Sequence, residues 1–500
     1  MSGRSLGETV DVVAGVRLTG PGRTDPFGTD PVDVHLSNGK VVDIAPAGAL
    51  PRRGVVLDGA GGWLLPGLWD HHVHTVQWAL ASRRADLDGV SSAAEAASVM
   101  ARVPVDRDGR RVGSGFRDAL WRDRPSLDLL DAATGEVPTY LINADVHSVW
   151  LNTAALGREG MQSPDGVLRE EPAFEISRRL NAIDPSVADA AVSDAMTVAA
   201  ARGVVGIVDL DMSWNAGAWD RRLARGYDAV RVSFGVYASA LERAIAEGLE
   251  TGDAIDAAGL IRMGPFKVIT DGSLGTRTAA CSHHYPGAES DFGVMTVPPP
   301  ELGELMRRAT GAGIACAVHA IGDVANSHAL DAFAATGATG TIEHAQLVAH
   351  ADIPRFARLG VAASVQPSHA VDDRDMAEEY WEGQTAVAYP LRELVDAGAN
   401  LLFGSDAPVA GLDPWATMAD AVFRTRDARE PWRAHQRVSA AVALAASTAG
   451  GSDAGSAIAP GDTADLIVVD RDPLAATTSE ELRSTAVSAT LLAGRLTHVS

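Results

Sequence analysis

The stretch Gly67-Leu68-Trp69-Asp70-His71-His72-Val73-His74 is the part of the chain from which the fold can be worked out. It follows Trp63-Leu64-Leu65, a short apolar run typical of a strand deep in a sheet rather than of a helix. Side chains two residues apart on an extended backbone project from the same face, so His72 and His74 point at one spot. Two neutral imidazoles in that arrangement favour a divalent transition metal, most often zinc, although a solvated or capped pair fits the pattern equally well.

Composition and charge exclude several classes of protein. The 500 residues carry a formal net charge of −23, so a nucleic-acid backbone would be repelled on average. Only two cysteines, Cys281 and Cys316, are present, which is too few for a disulfide framework. The first residues lack the apolar core of a signal peptide, and no apolar run approaches the ~18 residues of a membrane helix. We therefore expect a cytoplasmic protein that binds neither nucleic acid nor membranes, with its oligomeric state left open and a homodimer as one arrangement.

The two ends of the chain share a β-rich texture that differs from the middle. Residues 10–58 alternate between apolar and polar residues, and Asn38-Gly39 between two such runs is a strong hairpin signal. The same alternation returns near the C-terminal end of the sequence. These patterns predict a small β-sandwich domain formed by residues 1–62 and 447–500, beside a larger domain at residues 63–446.

In the middle of the chain, short apolar runs alternate with patterns of helical period. We predict eight strands, at residues 63–70, 203–211, 229–237, 264–271, 313–319, 339–344, 360–366 and 399–406. Eight strand–helix units favour an α/β fold of the (β/α)8 TIM-barrel type. Residues 76–190 are too many for one crossover and include a strand-like run at residues 138–143. We interpret them as a subdomain inserted after barrel strand 1, which would form a lid or a substrate wall at the barrel mouth.

Polar side chains follow most of these predicted strands, at the end where TIM-barrel enzymes carry their chemistry. The candidates are His72, His74, Lys267, His319, His344 and Asp406. Each has an ordinary alternative, since a lone histidine at a strand end is more often a surface or hydrogen-bonding residue. Lys267 would fit a salt bridge, and Asp406 would fit a helix N-cap. Such features at so many strand ends of one barrel rarely coincide by chance.

The candidates have complementary metal chemistry. His72, His74 and Asp406 would hold one metal ion, and His319 with His344 would hold a second.

Lys267 is the unusual member of this set. A protonated lysine beside two cations is disfavoured by like charge, so the buried amine should lose its proton. A neutral amine can take up carbon dioxide, and the resulting carbamate would bridge the two metals with one oxygen each. A water shared by two metals becomes a hydroxide ready to attack, and Asp406 would accept its proton and hand it to the leaving nitrogen.

This set of residues resembles the amidohydrolase superfamily of metal-dependent barrel hydrolases. Three longer strings are similar to the branch that includes the N-substituted formamide deformylases, namely Asp271-Gly272-Ser273-Leu274-Gly275-Thr276-Arg277-Thr278-Ala279, His319-Ala320-Ile321-Gly322-Asp323 and Ile342-Glu343-His344-Ala345-Gln346. The resemblance covers nearly the whole chain. It implies a binuclear site, usually of zinc, a carboxylated Lys267 as the bridging ligand, catalytic roles for Lys267, His319 and Asp406, and hydrolysis of a carbon–nitrogen bond.

Several further residues are candidates for substrate binding. Asp145 and His147 form an Asp-x-His pattern that related sequences also place at the pocket, with a local turn hydrogen bond as the alternative. Asp271 and Arg277 follow the bridging lysine closely and could orient it or grip a polar substrate group. Their alternative is loop architecture, in which the neighbouring glycines enable the turn.

His369 and Trp78 complete the predicted substrate wall. His369 lies at the mouth-facing end of predicted strand 7, where it could contact a substrate. Trp78 would suit an apolar or aromatic substituent on the substrate, although a buried tryptophan of the core explains it equally well.

Three functions are consistent with these residues. The favoured one is a binuclear amidohydrolase that hydrolyses a small amide, such as an N-substituted formamide, an N-acyl compound or a cyclic amide, by a metal-activated hydroxide. The second is a mononuclear hydrolytic deaminase of the same superfamily, but those enzymes generally carry a glutamate where this chain has Gly322. The third is a non-catalytic assembly protein, which would typically have lost metal ligands that are all present here.

Overall fold

The computed structural model describes residues 5–19, 28, 30–454 and 457–500. Eight parallel strands form one sheet in the order of the chain, and we call them barrel strands 1 to 8. Their bounds are Leu68–Val73, Val204–Asp209, Arg231–Val236, Ile261–Ile269, Cys316–Ala320, Gly340–His344, Val361–Val365 and Leu401–Phe403. The sheet closes because Asp406 N–H donates to the His72 carbonyl at 2.7 Å and His74 N–H donates to the Ala407 carbonyl at 2.9 Å. The predicted (β/α)8 barrel is confirmed.

The barrel strands are largely buried on both faces because helices cover the outer one. All five residues of Cys316–Ala320 are buried, for example. The helices outside the insert are Thr75–Ala81, Pro185–Ala201, Asn215–Leu223, Ala238–Ala246, Pro299–Gly311, Asp323–Thr336, Ile353–Leu359, Pro367–Asp372, Arg374–Tyr380, Leu391–Asp396, Pro414–Phe423, Ala440–Ala446 and Ser479–Arg483. Among the helices of the described ranges, none has the length and apolar character needed to cross a bilayer.

Both ends of the chain contribute to a second sheet of eight strands. Its strands are Val12–Leu18, Val32–Ser37, Lys40–Pro46, Val56–Asp58, Trp63–Pro66, Leu466–Val469, Val487–Leu492 and Arg495–Val499. The predicted hairpin is present, since Ser37 pairs with Lys40 across the turn. Asn38 and Gly39 have φ values of 51° and 73°, as a two-residue hairpin turn requires. The predicted domain limits remain a prediction.

The predicted barrel strand at residues 63–70 is divided in the structure. Trp63–Pro66 pairs with Leu466–Val469 in the terminal sheet, and only Leu68–Val73 belongs to the barrel. The chain changes partner at Gly67, whose N–H donates to the Asp465 carbonyl while the next N–H, that of Leu68, donates to the Gly203 carbonyl. A Cβ on Gly67 would lie 2.4 Å from the Val205 side chain, so this crossing requires glycine.

The stretch after barrel strand 1 contains its own five-stranded sheet. Its strands are Ala85–Asp86, Arg111–Phe116, Thr139–Asn143, Ser148–Leu151 and Val167–Arg169, and its helices are Ala93–Arg102, Leu127–Thr134, Thr153–Glu159 and Glu171–Asn181. We call residues 85–181 the insert. The strand-like run predicted at residues 138–143 corresponds to Thr139–Asn143. The limits of 76–190 predicted for this subdomain stay a prediction.

The Asn38-Gly39 turn provides a test of the terminal sheet. We expect Gly39→Ala to lower the free energy of unfolding by about 1–2 kcal/mol, because an L side chain resists the left-handed conformation. Gly157→Ala is the matched control, because Gly157 lies inside helix Thr153–Glu159 with open space around it. That substitution should raise stability by about 0.5–1 kcal/mol. Urea denaturation of both variants measures the difference, and equal effects would contradict the role of the turn.

Candidate metal centre

Six polar side chains from five barrel strands meet at the carboxyl end of the barrel. They are His72, His74, Lys267, His319, His344 and Asp406, and all are buried. His72 lies on strand 1 and His74 directly after it, and Lys267, His319 and His344 lie on strands 4, 5 and 6. Asp406 follows strand 8 in a left-handed conformation, with φ 57°. The structure thus brings together side chains that are more than 300 positions apart in sequence.

The first group joins the two histidines of the opening motif to Asp406. Asp406 Oδ1 lies 3.5 Å from His72 Nε2 and 3.3 Å from His74 Nε2. One donor atom from each of the three residues lies within 4.8 Å of the others, so a single cation can contact all three. Burial lowers the pKa of His72 to about 4, and its imidazole is therefore neutral, as a ligand must be.

Lys267 reaches the same point from strand 4. Its Nζ lies 3.3 Å from His72 Nε2, and the side chain is 2 % exposed. Burial lowers the pKa of this amine, while the charges of Glu343 and Asp406 act in the opposite direction. The amine therefore loses its proton more readily than a surface lysine does.

The second group of candidate ligands contains His319 and His344 and lies towards the other carboxylate oxygen of Asp406, Oδ2. The rings of His319 and His344 have centroids 4.5 Å apart. His344, His369 and Asp406 also have donor atoms within 4.8 Å of one another. The structure therefore places His369, which we expected in the substrate wall, beside the predicted ligands of the second ion.

Two of the histidines make a side-chain hydrogen bond through Nδ1, and a third lies near a carboxylate. His72 Nδ1 lies 2.6 Å from Glu343 Oε2, and His344 Nδ1 lies 2.8 Å from Gln366 Oε1. His319 Nε2 lies 3.4 Å from Asp271 Oδ1.

Such partners fix the tautomer and the orientation of a metal-ligating imidazole. Sequence reasoning missed Glu343 and Gln366. The position of Glu343 directly before His344 was the available signal. On a regular strand these neighbours would face opposite ways, but His344 has φ 74°.

The donor set fits divalent metal ions. Imidazole nitrogens and a carboxylate are the ligands that zinc and similar cations take in proteins. Three buried imidazole nitrogens of the site, His74 Nδ1, His319 Nε2 and His369 Nε2, have no hydrogen-bond partner among the described residues. Buried polar atoms are rarely left in that state unless a ligand completes them.

Two connected cavities lie above this cluster. The inner one, of about 320 Å³, is lined by the six side chains together with Asp145, His147, Phe174 and Tyr237, among others. The outer one, of about 580 Å³, shares Asp145, His147, His319, His344 and Asp406 with it and adds His369, Arg117, Asp118, Asp373 and Met376, among others. The insert supplies Asp145 and His147, so it forms one wall of the site.

His147 is paired with an acidic residue that sequence reasoning missed. Its Nδ1 lies 2.8 Å from Glu170 Oε2. Burial acts to lower the pKa of His147, but the charge and hydrogen bond of Glu170 more than offset it and raise the value to about 9. Nothing in the local sequence links the two residues, because they lie 23 positions apart in the insert.

The structure does not bring three of the predicted substrate residues to the cavities. Asp271 is fully buried and accepts hydrogen bonds from the backbone N–H groups of Ile321 and Gly322, so it orders the barrel mouth. The Arg277 guanidinium lies over the ring of Tyr380, 5.7 Å from its centroid. Trp78 packs against the barrel core, which was the alternative considered for it.

Comparisons with known proteins agree with this geometry. A family model described as the amidohydrolase family matches residues 55–498. The Arabidopsis thaliana protein LONG AFTER FAR-RED 3 is 27% identical over 92% of this chain and 86% of its own length. N-substituted formamide deformylase of Arthrobacter pascens is 26% identical over 90% of this chain and 91% of its own. An uncharacterized metal-dependent hydrolase from Pyrococcus horikoshii has the same fold, with a TM-score of 0.78, 24% identity and coverage of 93% and 98% of the two chains. The chain belongs to the amidohydrolase family.

Proposed function

We propose that this protein is a metal-dependent hydrolase that cleaves a carbon–nitrogen bond of amide type, other than a peptide bond, in a small molecule. The observation that carries the proposal is the position of Lys267. Its buried amine lies 3.3 Å from His72 Nε2, within the ring of imidazoles and the carboxylate at the barrel mouth. A lysine that served only an ion pair would not need to sit against the ring nitrogen of a candidate metal ligand.

Two divalent cations, with zinc as the favoured metal, would be held at this site. His72, His74 and Asp406 would hold one, and His319 and His344 the other. Lys267 would bridge them once its neutral amine has added to carbon dioxide. In that step a nitrogen–carbon bond forms, one proton leaves, and the amine becomes an anionic carbamate with two oxygens. Burial lowers the pKa of this amine, which favours the neutral form that the addition needs.

The bound cations would supply Lewis acidity and lower the pKa of a water molecule. Asp406 would take the proton from that water and deliver it to the leaving nitrogen. Burial acts to raise the pKa of Asp406, but the neighbouring imidazoles more than offset this and hold it well below its usual range. The carboxylate is therefore ionised, as a proton acceptor must be. Asp145, His147 and His369 line the cavities and would orient the substrate above it.

The substrate class follows from the family branch. The relative from Arthrobacter pascens is named for its action on N-substituted formamides. We propose an N-substituted formamide, an N-acyl compound or a cyclic amide for this chain.

Metal analysis combined with turnover tests the proposal. We expect about two equivalents of zinc in reconstituted protein and hydrolysis of at least one compound in a panel of formamides, N-acyl compounds, lactams, hydantoins and carbamates. Removal of the metal by a chelator should abolish turnover, and added zinc should restore it. Turnover of aminated heterocycles with one zinc would instead identify a deaminase, and a chain without zinc would contradict the proposal. His350→Ala, at an exposed histidine, is the control for nonspecific metal binding.

A further inference from the structure

Glu170 joins the insert to the loop that follows barrel strand 4. It directly precedes helix Glu171–Asn181, but its side chain does not cap that helix. Instead Oε2 accepts from His147 Nδ1 at 2.8 Å, and Oε1 accepts from the hydroxyls of Thr276 and Thr278 at 3.1 and 2.5 Å. Both oxygens of this largely buried carboxylate therefore accept hydrogen bonds, Oε2 within the insert and Oε1 across the boundary between the insert and the barrel.

The loop Asp271–Thr278 is shaped to receive this contact. A Cβ on Gly272 would lie 1.9 Å from Thr278 Oγ1 and 2.7 Å from Glu170 Oε1. A Cβ on Gly275 would lie 2.7 Å from Asp145 Oδ2. The two glycines of the motif therefore allow the acidic residues of the insert to approach the loop closely.

A second bond from the insert supports the same docking. Ser273 Oγ donates to Asp145 Oδ2 at 2.8 Å, and Asp145 Oδ1 accepts from the backbone N–H of His147 at 3.0 Å. His147 is thus held from both sides, through its ring by Glu170 and through its backbone by Asp145. With Nδ1 occupied, Nε2 is the remaining polar atom of a ring that lines both cavities.

The backbone is strained at both ends of this arrangement. Val146 has φ 57° and Glu170 has φ 54°, values that side chains with a Cβ rarely adopt. A β-branched residue such as Val146 is especially disfavoured there. Strain of this kind persists only where surrounding contacts enforce it, and it gathers at functional sites.

We infer that Glu170 is a positioning residue, which aims His147 at the substrate and docks the insert on the Asp271–Thr278 loop. This rests on the proposed function, in which His147 contacts the substrate. Glu170 acts on the reaction only through His147 and the loop, and it contacts no predicted metal ligand through its hydrogen bonds.

The first test is the substitution Glu170→Gln, which keeps the shape but leaves only one accepting oxygen. We expect kcat/KM to fall by about 10–100-fold, the usual effect of losing an orienting partner, with the zinc content unchanged. Glu171→Gln is the matched control, since the neighbouring side chain is 73% exposed and pairs with Arg178. It should leave kcat/KM unchanged. Loss of zinc from the Glu170 variant would overturn the inference.

A double-mutant cycle shows whether Glu170 acts through His147. If it does, Glu170→Gln should cause almost no further loss of kcat/KM in the variant His147→Ala, because the group that Glu170 orients is already absent. Independent losses that multiply in the double variant would overturn the inference, since a general structural role predicts that result.

Hydrogen exchange gives a measurement that needs no turnover. We expect Glu170→Gln to speed amide exchange in residues 272–278 by about 10-fold or more while residues 466–469 of the terminal sheet stay unchanged. Unchanged exchange in the loop would overturn the docking role. If the wild-type protein hydrolysed no compound of the panel, the proposed function would fall, and this measurement would still decide the docking role of Glu170.

Discussion

Asp406→Asn is expected to lower kcat by about 10²–10⁴-fold, because it removes the group that accepts and returns the proton. The fold should survive. Asparagine tolerates the left-handed backbone of this position, where φ is 57°, better than most residues do. The backbone hydrogen bond from this residue to the His72 carbonyl, which helps to close the barrel, does not involve the side chain.

The pH dependence and zinc content of the Asp406 variant identify the cause of its loss. With zinc retained, a low kcat across the whole pH range indicates a missing proton acceptor. Asp396→Asn is the control, since that carboxylate lies on the surface with 55% of its side chain exposed and pairs with Arg392. Full turnover by the Asp406 variant would count directly against the proposed function.

Lys267→Ala is expected to release one or both metals and to reduce activity to the level of the metal-free protein. Alanine supplies no amine for the carbamate, so nothing would bridge the two ions. The substitution also leaves a space against His72 that a small carboxylate can enter. Formate, acetate or propionate should therefore restore part of the metal content and of the turnover.

The composition of the chain offers a control for the lysine variant. Only two lysines, Lys40 and Lys267, occur in the sequence. Lys40 lies in the terminal sheet and donates to the Gly461 carbonyl, so Lys40→Ala should change neither metal content nor activity. Labelled bicarbonate should give a carbamate signal in the wild-type protein and in Lys40→Ala, but none in Lys267→Ala. Full metal content in Lys267→Ala without added acids would contradict the bridging role.

Much of the fold could be predicted from local patterns. The apolar runs of the barrel strands, the helical periods between them and the Asn38-Gly39 turn each appear within a few residues of sequence. The division at Gly67 could not be predicted in this way. Trp63–Pro66 and Leu68–Val73 are short, largely buried strands with one residue between them, and only their partners in two different sheets separate them.

The candidate metal ligands were also visible, because Lys267 lies within an apolar strand, the others stand at or near strand ends, and the order of the strands brings those ends together. The direction in which the candidate substrate residues face was harder to predict. Asp145, His147 and His369 line the cavities, whereas Trp78 is partly buried against the core and Arg277 lies over Tyr380. A side chain in a loop or a short helix has no period to show which way it faces.

The sequence by itself determined the barrel, the polar residues at its strand ends and the resemblance to a protein family, since these depend on the local spacing of side chains. Only the tertiary structure decided which partners hold those residues. The contacts of Glu343 with His72 and of Glu170 with His147 and the Asp271–Thr278 loop join distant segments. Left-handed backbone occurs beside these contacts, at His344, Val146 and Glu170, and long-range packing maintains it against local preference.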